Sequence, residues 1–208
     1  MSQSPKRALI VIDVQNEYVS GNLRIEYPNI ELSLSNIAKA MDAAHAANIP
    51  VVVVQHFADA SSPVFARGSQ AAELHPLVAE RPRDHFIQKA MASAFVGTDL
   101  SEWLRAREID TLSVVGYMTQ HCDDSTVRQA HHEGWQVELL NDATGSPPYR
   151  NSQGAASAEE IHRVFSIVMH TGFAAVVSTD EWLAALNSGE ALQPDNIYLS
   201  NQRAISVR

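Results

Sequence analysis

Ala8-Leu9-Ile10-Val11-Ile12-Asp13-Val14 is a stretch in which every residue except Asp13 is apolar. A second run, Val51–Gln55, contains four consecutive valines. Apolar runs of this length, rich in β-branched residues, are typical of strands that are covered on both faces, as in a parallel sheet. Between the two runs, Ile30–Ala47 has apolar residues at helical spacing. This strand–helix–strand order indicates an α/β protein.

The same alternation continues along the chain. Further strands are predicted at His85–Lys89, Thr111–Val115, Gln136–Leu140 and Phe173–Val177, and further helices at Asp99–Arg107, Gln120–Glu133, Ala158–His170 and Thr179–Leu186. The pattern predicts a three-layer α-β-α, Rossmann-like open sheet of about six mostly parallel strands. We expect one domain over residues 7–187, followed by a polar tail, 188–208, that has no clear period and is a candidate for oligomer contacts.

Two connecting segments are predicted to be irregular. Ala58–Arg83 contains three prolines and is expected to be a long loop with a short helix that lies over one end of the sheet. Asn141–Tyr149 is rich in residues that favour loops.

Composition excludes several kinds of partner. The formal net charge is −9, so the chain repels the phosphates of nucleic acids and anionic lipid surfaces. No apolar run approaches the roughly 18 residues that span a bilayer, and the run after Lys6-Arg7 is too short for a signal peptide. We therefore expect a cytoplasmic protein that acts on a small molecule, without nucleic-acid or membrane partners.

Three candidate catalytic residues follow predicted strands. Asp13 terminates the first strand, Lys89 terminates the strand His85–Lys89, and Cys122, the single cysteine, follows Gly116 at the start of a helix. Ligands of open parallel sheets bind beyond the carboxyl ends of the strands, so these side chains are expected to meet on one rim. Each residue also has an ordinary structural interpretation, as a core cysteine, a loop carboxylate and a surface lysine.

The three residue types together suit acyl transfer to water. A free thiol has a pKa of about 8.5, and we expect the helix N-terminus and Lys89 to lower the pKa of Cys122. Asp13 can accept the thiol proton and return it to a leaving amine. Backbone N–H groups at the helix start can bind the oxyanion of a tetrahedral intermediate.

Three blocks of sequence resemble the isochorismatase-like cysteine hydrolases. They are Ala8–Tyr18 with Asp13-Val14-Gln15, Lys89–Phe95 with Ser93-Ala94-Phe95, and Gly116–Cys122 with Thr119. The resemblance covers roughly residues 7–186. It implies a sheet of six parallel strands, a Cys122–Asp13–Lys89 triad, a cis peptide at Tyr117–Met118, an oxyanion hole made by the backbone N–H groups of Met118 and Cys122, and a homodimer or homotetramer.

The chain departs from the family pattern beside the proposed nucleophile. The family usually has valine there, whereas this chain has Asp123 followed by Asp124. Carboxylates at this position would oppose thiolate formation if they faced the site. We therefore expect both side chains to point away from the site, or to bind a cationic part of a substrate.

The resemblance favours hydrolysis of an amide, carbamoyl or ureide C–N bond through an acyl-cysteine intermediate. The expected substrate pocket consists of Gln15, Tyr18, His56, Phe57, Phe95, Tyr117 and His121. No cofactor and no metal is expected, because the strand before His56 and Asp59 lacks the Asp-x-His motif of nicotinamidases and no Gly-x-Gly-x-x-Gly follows the first strand. The alternatives are a metabolite-binding pseudo-enzyme on the same fold and a nicotinamidase-type amidase.

Overall fold

A computed structural model describes residues 4–207. The strands are β1 Arg7–Ile12, β2 Val51–His56, β3 His85–Lys89, β4 Thr111–Tyr117, β5 Gln136–Gly145, β6 Tyr149–Asn151, β7 Gly154–Ala156 and β8 Ala175–Val177. The α-helices are α1 Ile30–Ala46, α2 Pro76–Ala79, α3 Leu100–Ala106, α4 Asp124–His132, α5 Ala158–His170, α6 Thr179–Ser188 and α7 Ile197–Ser206.

Six of the strands form one parallel sheet in the order β3-β2-β1-β4-β5-β8, which confirms the predicted architecture. The chain builds outward from β1 to β3 and then returns to place β4 on the other side of β1. The direction of winding therefore reverses between β1 and β4, where open α/β sheets form their ligand-binding crevice. The remaining strands, β6 and β7, form a separate antiparallel hairpin.

Both faces of the sheet are covered, as the continuous apolar runs predict. Ile10 and Ile12 point to a core shared with α3, α4 and α5, and Leu9 and Val11 point to a second core that contains residues of α1 and α6. All six residues of β1 are buried. Packing on both faces therefore fixes the position of β1, and with it the position of Asp13, the residue that follows the strand.

Gly116 shows why β1 and β4 can lie close together at the site. Its φ angle is +119°, and a Cβ atom at this position would lie 2.0 Å from the carbonyl oxygen of Ile12. A side chain here would force the two central strands apart. Glycine is therefore required at the point where the chain leaves β4 for the site.

Several boundaries differ from the sequence prediction, and three of these differences lie near the carboxyl ends of the central strands. The predicted loop Asn141–Tyr149 is wrong in its first half, because β5 continues to Gly145 and pairs again with Gly116 and Tyr117 after a register shift. The predicted helix Gln120–Glu133 begins instead with a π-helical turn over Thr119–Asp123. The strand predicted at Ala8–Val14 ends at Ile12, since Asp13 adopts a left-handed conformation with φ +51°.

The segments outside the sheet follow the prediction in part. Ala58–Arg83 is a long connection that contains a short 3₁₀ turn, Gln70–Ala72, and helix α2, as expected. The tail contains a helix that its pattern did not predict, α7, whose N-terminus is capped by the side chain of Asn196. Within residues 4–207, no helix is both long enough and apolar enough to cross a bilayer.

Candidate active site

Asp13, Lys89 and Cys122 meet at the carboxyl end of the sheet. The Nζ atom of Lys89 donates to Asp13 Oδ2 at 2.6 Å and to Cys122 Sγ at 3.3 Å. The side chains of Asp13 and Lys89 are fully buried, and Cys122 is 5% exposed. A carboxylate, an ammonium and a thiol that lie far apart in sequence thus form one compact cluster.

Backbone geometry fixes the carboxylate and the lysine. The N–H group of Asp13 donates to Val54 O at 3.0 Å, which ties the left-handed residue to the end of β2. Lys89 is the last residue of β3, and the block that follows it is attached to α4. There the N–H group of Ala94 donates to Thr126 Oγ1 at 3.0 Å, and Ser93 Oγ hydrogen-bonds Gln129 at 2.7 Å. The serine and alanine of this block therefore connect the lysine strand to the cysteine helix.

The electrostatics of the cluster differ from the sequence expectation. Burial raises the pKa of Cys122 well above its ordinary value, and the charge of Asp13 adds to the rise, while Lys89 only partly opposes it. The expected lowering of the Cys122 pKa is therefore wrong, because the thiol is buried beside a carboxylate. Burial lowers the pKa of Lys89, but the charges of Asp13 and Cys122 outweigh that effect and raise it overall. The free site holds a thiol, a carboxylate and an ammonium.

The loop before Cys122 carries the peptide groups expected to bind an oxyanion. The Tyr117–Met118 peptide bond is cis. The carbonyl oxygen of Met118 accepts from the N–H groups of His121 at 2.9 Å and Asp123 at 3.2 Å, which closes the π-helical turn. This turn places the thiol at the start of α4, so that the backbone of Met118 and Cys122 lies within one short loop.

A buried polar network, which the sequence did not reveal, supports that loop. Thr119 Oγ1 lies 3.0 Å from Thr144 Oγ1 on β5 and 2.9 Å from His162 Nδ1 on α5. Burial lowers the pKa of His162 to about 4, so its ring is neutral at pH 7. The threonine of the Gly116–Cys122 block therefore anchors the loop to two further elements.

Several residues expected in the pocket are instead used by the fold. The amide of Gln15 donates to His56 O at 2.9 Å and Ala72 O at 2.6 Å, and its oxygen accepts from the His56 N–H at 2.9 Å. Phe95 stacks on Trp135 with ring centroids 5.3 Å apart and belongs to the core. Tyr117 is fully buried, and its hydroxyl lies 2.7 Å from Ser33 Oγ. Gln15, Phe95 and Tyr117 therefore support the site through contacts within the fold.

Tyr18 packs between Phe65 and Tyr117, with ring centroids 5.1 Å and 5.4 Å apart, and is 1% exposed. Burial raises its pKa, and the charges of Cys122 and Asp13 add to the rise. Tyr18 is therefore a neutral phenol beside the cluster. The aspartate and tyrosine of the first motif thus reach the same place from either side of one short turn.

His56 and Phe57 line a cavity of about 520 Å³ beside the cluster, together with Ala58, Asp59, Ala60, Arg67 and Ala90. Burial lowers the pKa of His56, and the charge of Lys89 lowers it further. The guanidinium of Arg67 lies 4.5 Å from the ring centre of Phe57. His121 is exposed at the surface. Of the predicted pocket residues, His56 and Phe57 face open space next to Lys89.

Tyr149, at the start of β6, was not singled out from the sequence. Its hydroxyl accepts from Gln120 Nε2 at 3.0 Å and contacts Met118 Sδ at 3.6 Å. Burial raises its pKa, and so does the charge of Cys122. This tyrosine belongs to the β6–β7 hairpin and contacts the loop before Cys122. In the sequence, the preceding Pro147 and Pro148 indicated only a loop.

The two aspartates after Cys122 behave differently. Both carboxylate oxygens of Asp124 accept from Arg128 Nε, each at 2.9 Å. Asp123 is 0% exposed, and neither of its carboxylate oxygens has a hydrogen-bond partner within the described residues. The side chains were expected to point away from the site or to bind a cationic part of a substrate. Asp124 pairs with Arg128 on its own helix. Asp123 is buried within range of the charges of Asp13 and Lys89, and its binding to a cationic part of a substrate stays a prediction.

Metal ligation has no candidate in this part of the molecule. Across residues 4–207, no group of three or more histidine, cysteine, aspartate or glutamate side chains is arranged to hold a metal ion. His56 and Asp59, which the sequence left as conceivable ligands, have no third such side chain beside them in the described chain.

A parallel sheet with a thiol, a carboxylate and an ammonium at its winding reversal defines a small α/β hydrolase. The isochorismatase domain model matches residues 7–181, so the chain belongs to the isochorismatase family.

Relatives and solved structures agree with this family. An isochorismatase-family protein from Burkholderia xenovorans LB400 has a solved structure with a TM-score of 0.98 and 64% identity, which covers 99% of each chain. The secreted isochorismatase effector Isc1 of Verticillium dahliae is 35% identical over 66% of this chain and 71% of its own length. The ureidoacrylate amidohydrolase RutB of Methylobacterium radiotolerans is 28% identical over 86% of this chain and 78% of its own length.

Proposed function

We propose that this hydrolase cleaves the C–N bond of a small amide, carbamoyl compound or ureide through an acyl-cysteine intermediate. The observation that carries the proposal is the position of Lys89 Nζ, which bridges Asp13 Oδ2 at 2.6 Å and Cys122 Sγ at 3.3 Å in a buried cluster. The relative that acts on ureidoacrylate supports a ureide or amide substrate class.

The proposed first step begins with a neutral thiol. Because burial and Asp13 raise the pKa of Cys122, the thiol keeps its proton until substrate is bound. Asp13 then takes this proton as general base while the sulfur attacks the carbonyl carbon. The charge of Lys89 stays within reach of the sulfur as the S–H bond breaks, which lowers the energy of the developing thiolate. Backbone N–H groups of Met118 and Cys122 are proposed to bind the oxyanion.

Collapse of the tetrahedral intermediate breaks the C–N bond, and the leaving amine takes the proton from Asp13. A water molecule then attacks the thioester and passes one proton to Asp13, and collapse of this second intermediate releases the acid product. The proton on Asp13 returns to the sulfur, so both residues regain their starting states. Asp13 thus serves as base and acid in turn, a role that suits a carboxylate paired with one lysine.

The substrate is proposed to enter beside β2, where His56 and Phe57 line the cavity. His56 is neutral at pH 7 because burial and Lys89 lower its pKa, so it can donate or accept a hydrogen bond without adding charge. Tyr149 closes the opposite side above Met118. Apart from His56, which ends β2, the residues of these two walls lie outside the six-stranded sheet, where a change of side chain can alter specificity without disturbing the cluster.

A screen for ammonia release tests this function. Amides, carbamoyl compounds and ureides would be incubated with the full chain and with the Cys122→Ala variant. We expect turnover of at least one class by the wild type and its loss in the variant, by at least about a thousandfold, because alanine cannot form the thioester. Turnover that survives the substitution would contradict the proposal, and tight binding without product would indicate a metabolite-binding role.

We also propose that the protein works in the cytoplasm, where a lone catalytic thiol stays reduced, and that it assembles as a homodimer or homotetramer. Helix α7 has no buried residue in the single chain, and its Ile197 is 71% exposed. Short helices are marginal in water without a packing partner. Light scattering would measure the mass in solution, and a monomer at micromolar concentration would contradict the assembly.

A further inference from the structure

Asp123 is a carboxyl group that neither solvent nor another side chain satisfies. Its residue is 0% exposed, and both oxygens are without a hydrogen-bond partner within residues 4–207. A buried carboxylate is strongly disfavoured unless it is paired with a cation and hydrogen-bonded. The nearest example of such pairing in this chain is Asp124, one residue on, whose two oxygens both contact Arg128.

The charges that act on Asp123 are those of one cation, Lys89, and two other carboxyl groups, Asp13 and Asp124. The titratable or charged groups that act on it or respond to it are Asp13 after β1, Tyr18 in the turn that follows, Lys89 at the end of β3, Tyr117 at the end of β4, and Cys122 and Asp124 on its own element. The two tyrosines are neutral, and the ammonium of Lys89 is already hydrogen-bonded to Asp13 and to the sulfur. Neither oxygen of Asp123 accepts a hydrogen bond from Lys89 or from another described residue.

Burial raises the pKa of Asp123 well above its ordinary value, and the charge of Asp13 raises it further. When two carboxyl groups share one buried region with a single cation, their pKa values move apart and one of the two groups keeps its proton. Asp13 has the hydrogen bond from Lys89, whereas neither oxygen of Asp123 has a partner within the described residues.

We propose that Asp123 is a positioning residue of the hydrolase site that is kept uncharged, so that the positive charge of Lys89 is shared between Asp13 and the sulfur of Cys122 alone. The charge count supports this role. With a neutral Asp123, the Asp13–Lys89 pair carries no net charge in the resting site. After the thiol proton moves to Asp13, the Cys122–Lys89 pair also carries no net charge. An ionised Asp123 would leave the buried site negative in both states and would disfavour the thiolate.

The inference rests on the proposed hydrolase function only for its kinetic consequence, and the protonation state can be measured without a substrate. Infrared difference spectra at pH 7 would compare the wild type with Asp123→Asn, whose amide has the same shape and no ionisable group. Asp124→Asn is the matched control, since it removes the adjacent carboxylate. We expect a carbonyl band of a neutral carboxyl that is lost in D123N and retained in D124N. A carboxylate signal from Asp123 at pH 7 would overturn the inference.

The kinetic test uses the pH dependence of kcat/KM. As pH rises and the infrared band of Asp123 disappears, we expect the wild type to lose activity with the same midpoint. D123N should show no such loss relative to its own kcat/KM at pH 7, so that the ratio of wild-type to D123N kcat/KM falls by about tenfold or more between pH 7 and the range where Asp123 is ionised. Profiles of D123N and wild type that coincide while the infrared band titrates would overturn the positioning role.

Asp123→Val keeps the test decisive if D123N does not fold, because valine suits a buried position and has no ionisable group. It should also lack the neutral-carboxyl band and the alkaline loss of activity. If the wild-type enzyme hydrolyses no tested compound, the proposed function fails, whereas the infrared result on Asp123 is unaffected.

Discussion

The two ends of β1 each hold a buried ion pair, and the two pairs are built in opposite ways. At the first residue of the strand, Arg7 pairs with Glu138 at 2.8 Å. The carboxylate of Glu138 also accepts from Ser113 Oγ at 2.7 Å and Trp182 Nε1 at 3.0 Å. Beyond the last residue, Asp13 receives a single hydrogen bond from Lys89, and its Oδ1 has no partner within the described residues.

The ion pair at the first residue of β1 stabilises the fold, whereas the pair beyond its last residue is proposed to react. Glu138 accepts hydrogen bonds from Arg7, Ser113 and Trp182, and these contacts fix its position. Asp13 Oδ1 has no hydrogen-bond partner within the described residues, and Lys89 links the carboxylate to the thiol, so this oxygen can accept a proton. Both pairs are buried, and it is the number of hydrogen bonds on the carboxylate that distinguishes a structural pair from a proposed catalytic one.

The largest effect is expected from breaking the carboxylate at the site. Asp13→Asn keeps the shape of the side chain but removes the general base, so we expect kcat/KM to fall by about 10²–10⁴-fold. The free energy of unfolding should fall by less than in a matched change at Glu138, because Asp13 makes only one side-chain hydrogen bond. Steady-state kinetics and urea unfolding of the same preparation would check both parts. A loss of activity below about tenfold would exclude Asp13 as the base.

The next effect is expected at the other end of β1. Glu138→Gln leaves the guanidinium of Arg7 buried with an uncharged partner, and we expect a loss of about 3–5 kcal/mol in the free energy of unfolding. Activity per folded molecule should change little, since no described contact joins this network to Cys122. Equal losses of activity in E138Q and D13N would remove the distinction between the two ends.

These two ends also show how far the sequence could predict the structure. Continuous apolar runs such as Ala8–Ile12 announce buried parallel strands, and strands of that kind bring Asp13, Lys89 and Cys122 to one rim by topology alone. The details at that rim depend on neighbours that are remote in sequence. Phe95 is a core residue because Trp135 lies beneath it, and the thiol pKa rises because the site is buried.

Other features were invisible for equally physical reasons. The second half of β5 carries residues that favour loops, yet the backbone of Gly116 and Tyr117 pairs with it. Helix α7 has no buried face, so it has no apolar period to read. The role of Asp123 could not be seen because a carboxyl on the first turn of a helix is ordinarily a solvated group that favours the helix dipole.

The smallest expected effect concerns the pH dependence of stability. Burial and Asp13 raise the pKa of Cys122 in the folded state above its ordinary value of about 8.5, whereas the unfolded chain ionises near that value. Below it both states hold the proton and the thiol adds no pH dependence. As pH rises above it, the unfolded state loses its proton first, and the folded state loses stability by up to about 1.4 kcal/mol per pH unit.

Cys122→Ala lacks this term, so the difference in unfolding free energy between wild type and variant should change steadily between pH 8 and pH 10, against the wild type. Chemical unfolding at matched pH values would measure it. A difference that favours the wild type as pH rises would mean that the folded thiol ionises below its ordinary pKa, so that Asp13 is not needed as its base. A constant difference would mean that folding does not shift the pKa of the thiol, and it would also contradict the account of a buried neutral thiol.

The central claim is that Cys122 carries the acyl group during turnover. Acid quenching of the enzyme during hydrolysis of an active amide or ureide, followed by mass spectrometry of its peptides, tests this directly. We expect the peptide that contains Cys122 to gain a mass equal to the acyl portion of the substrate. This mass increase should be absent in Cys122→Ala and should disappear as the acyl group is hydrolysed. An unmodified Cys122 under conditions of rapid single turnover, or the adduct on another residue, would contradict it.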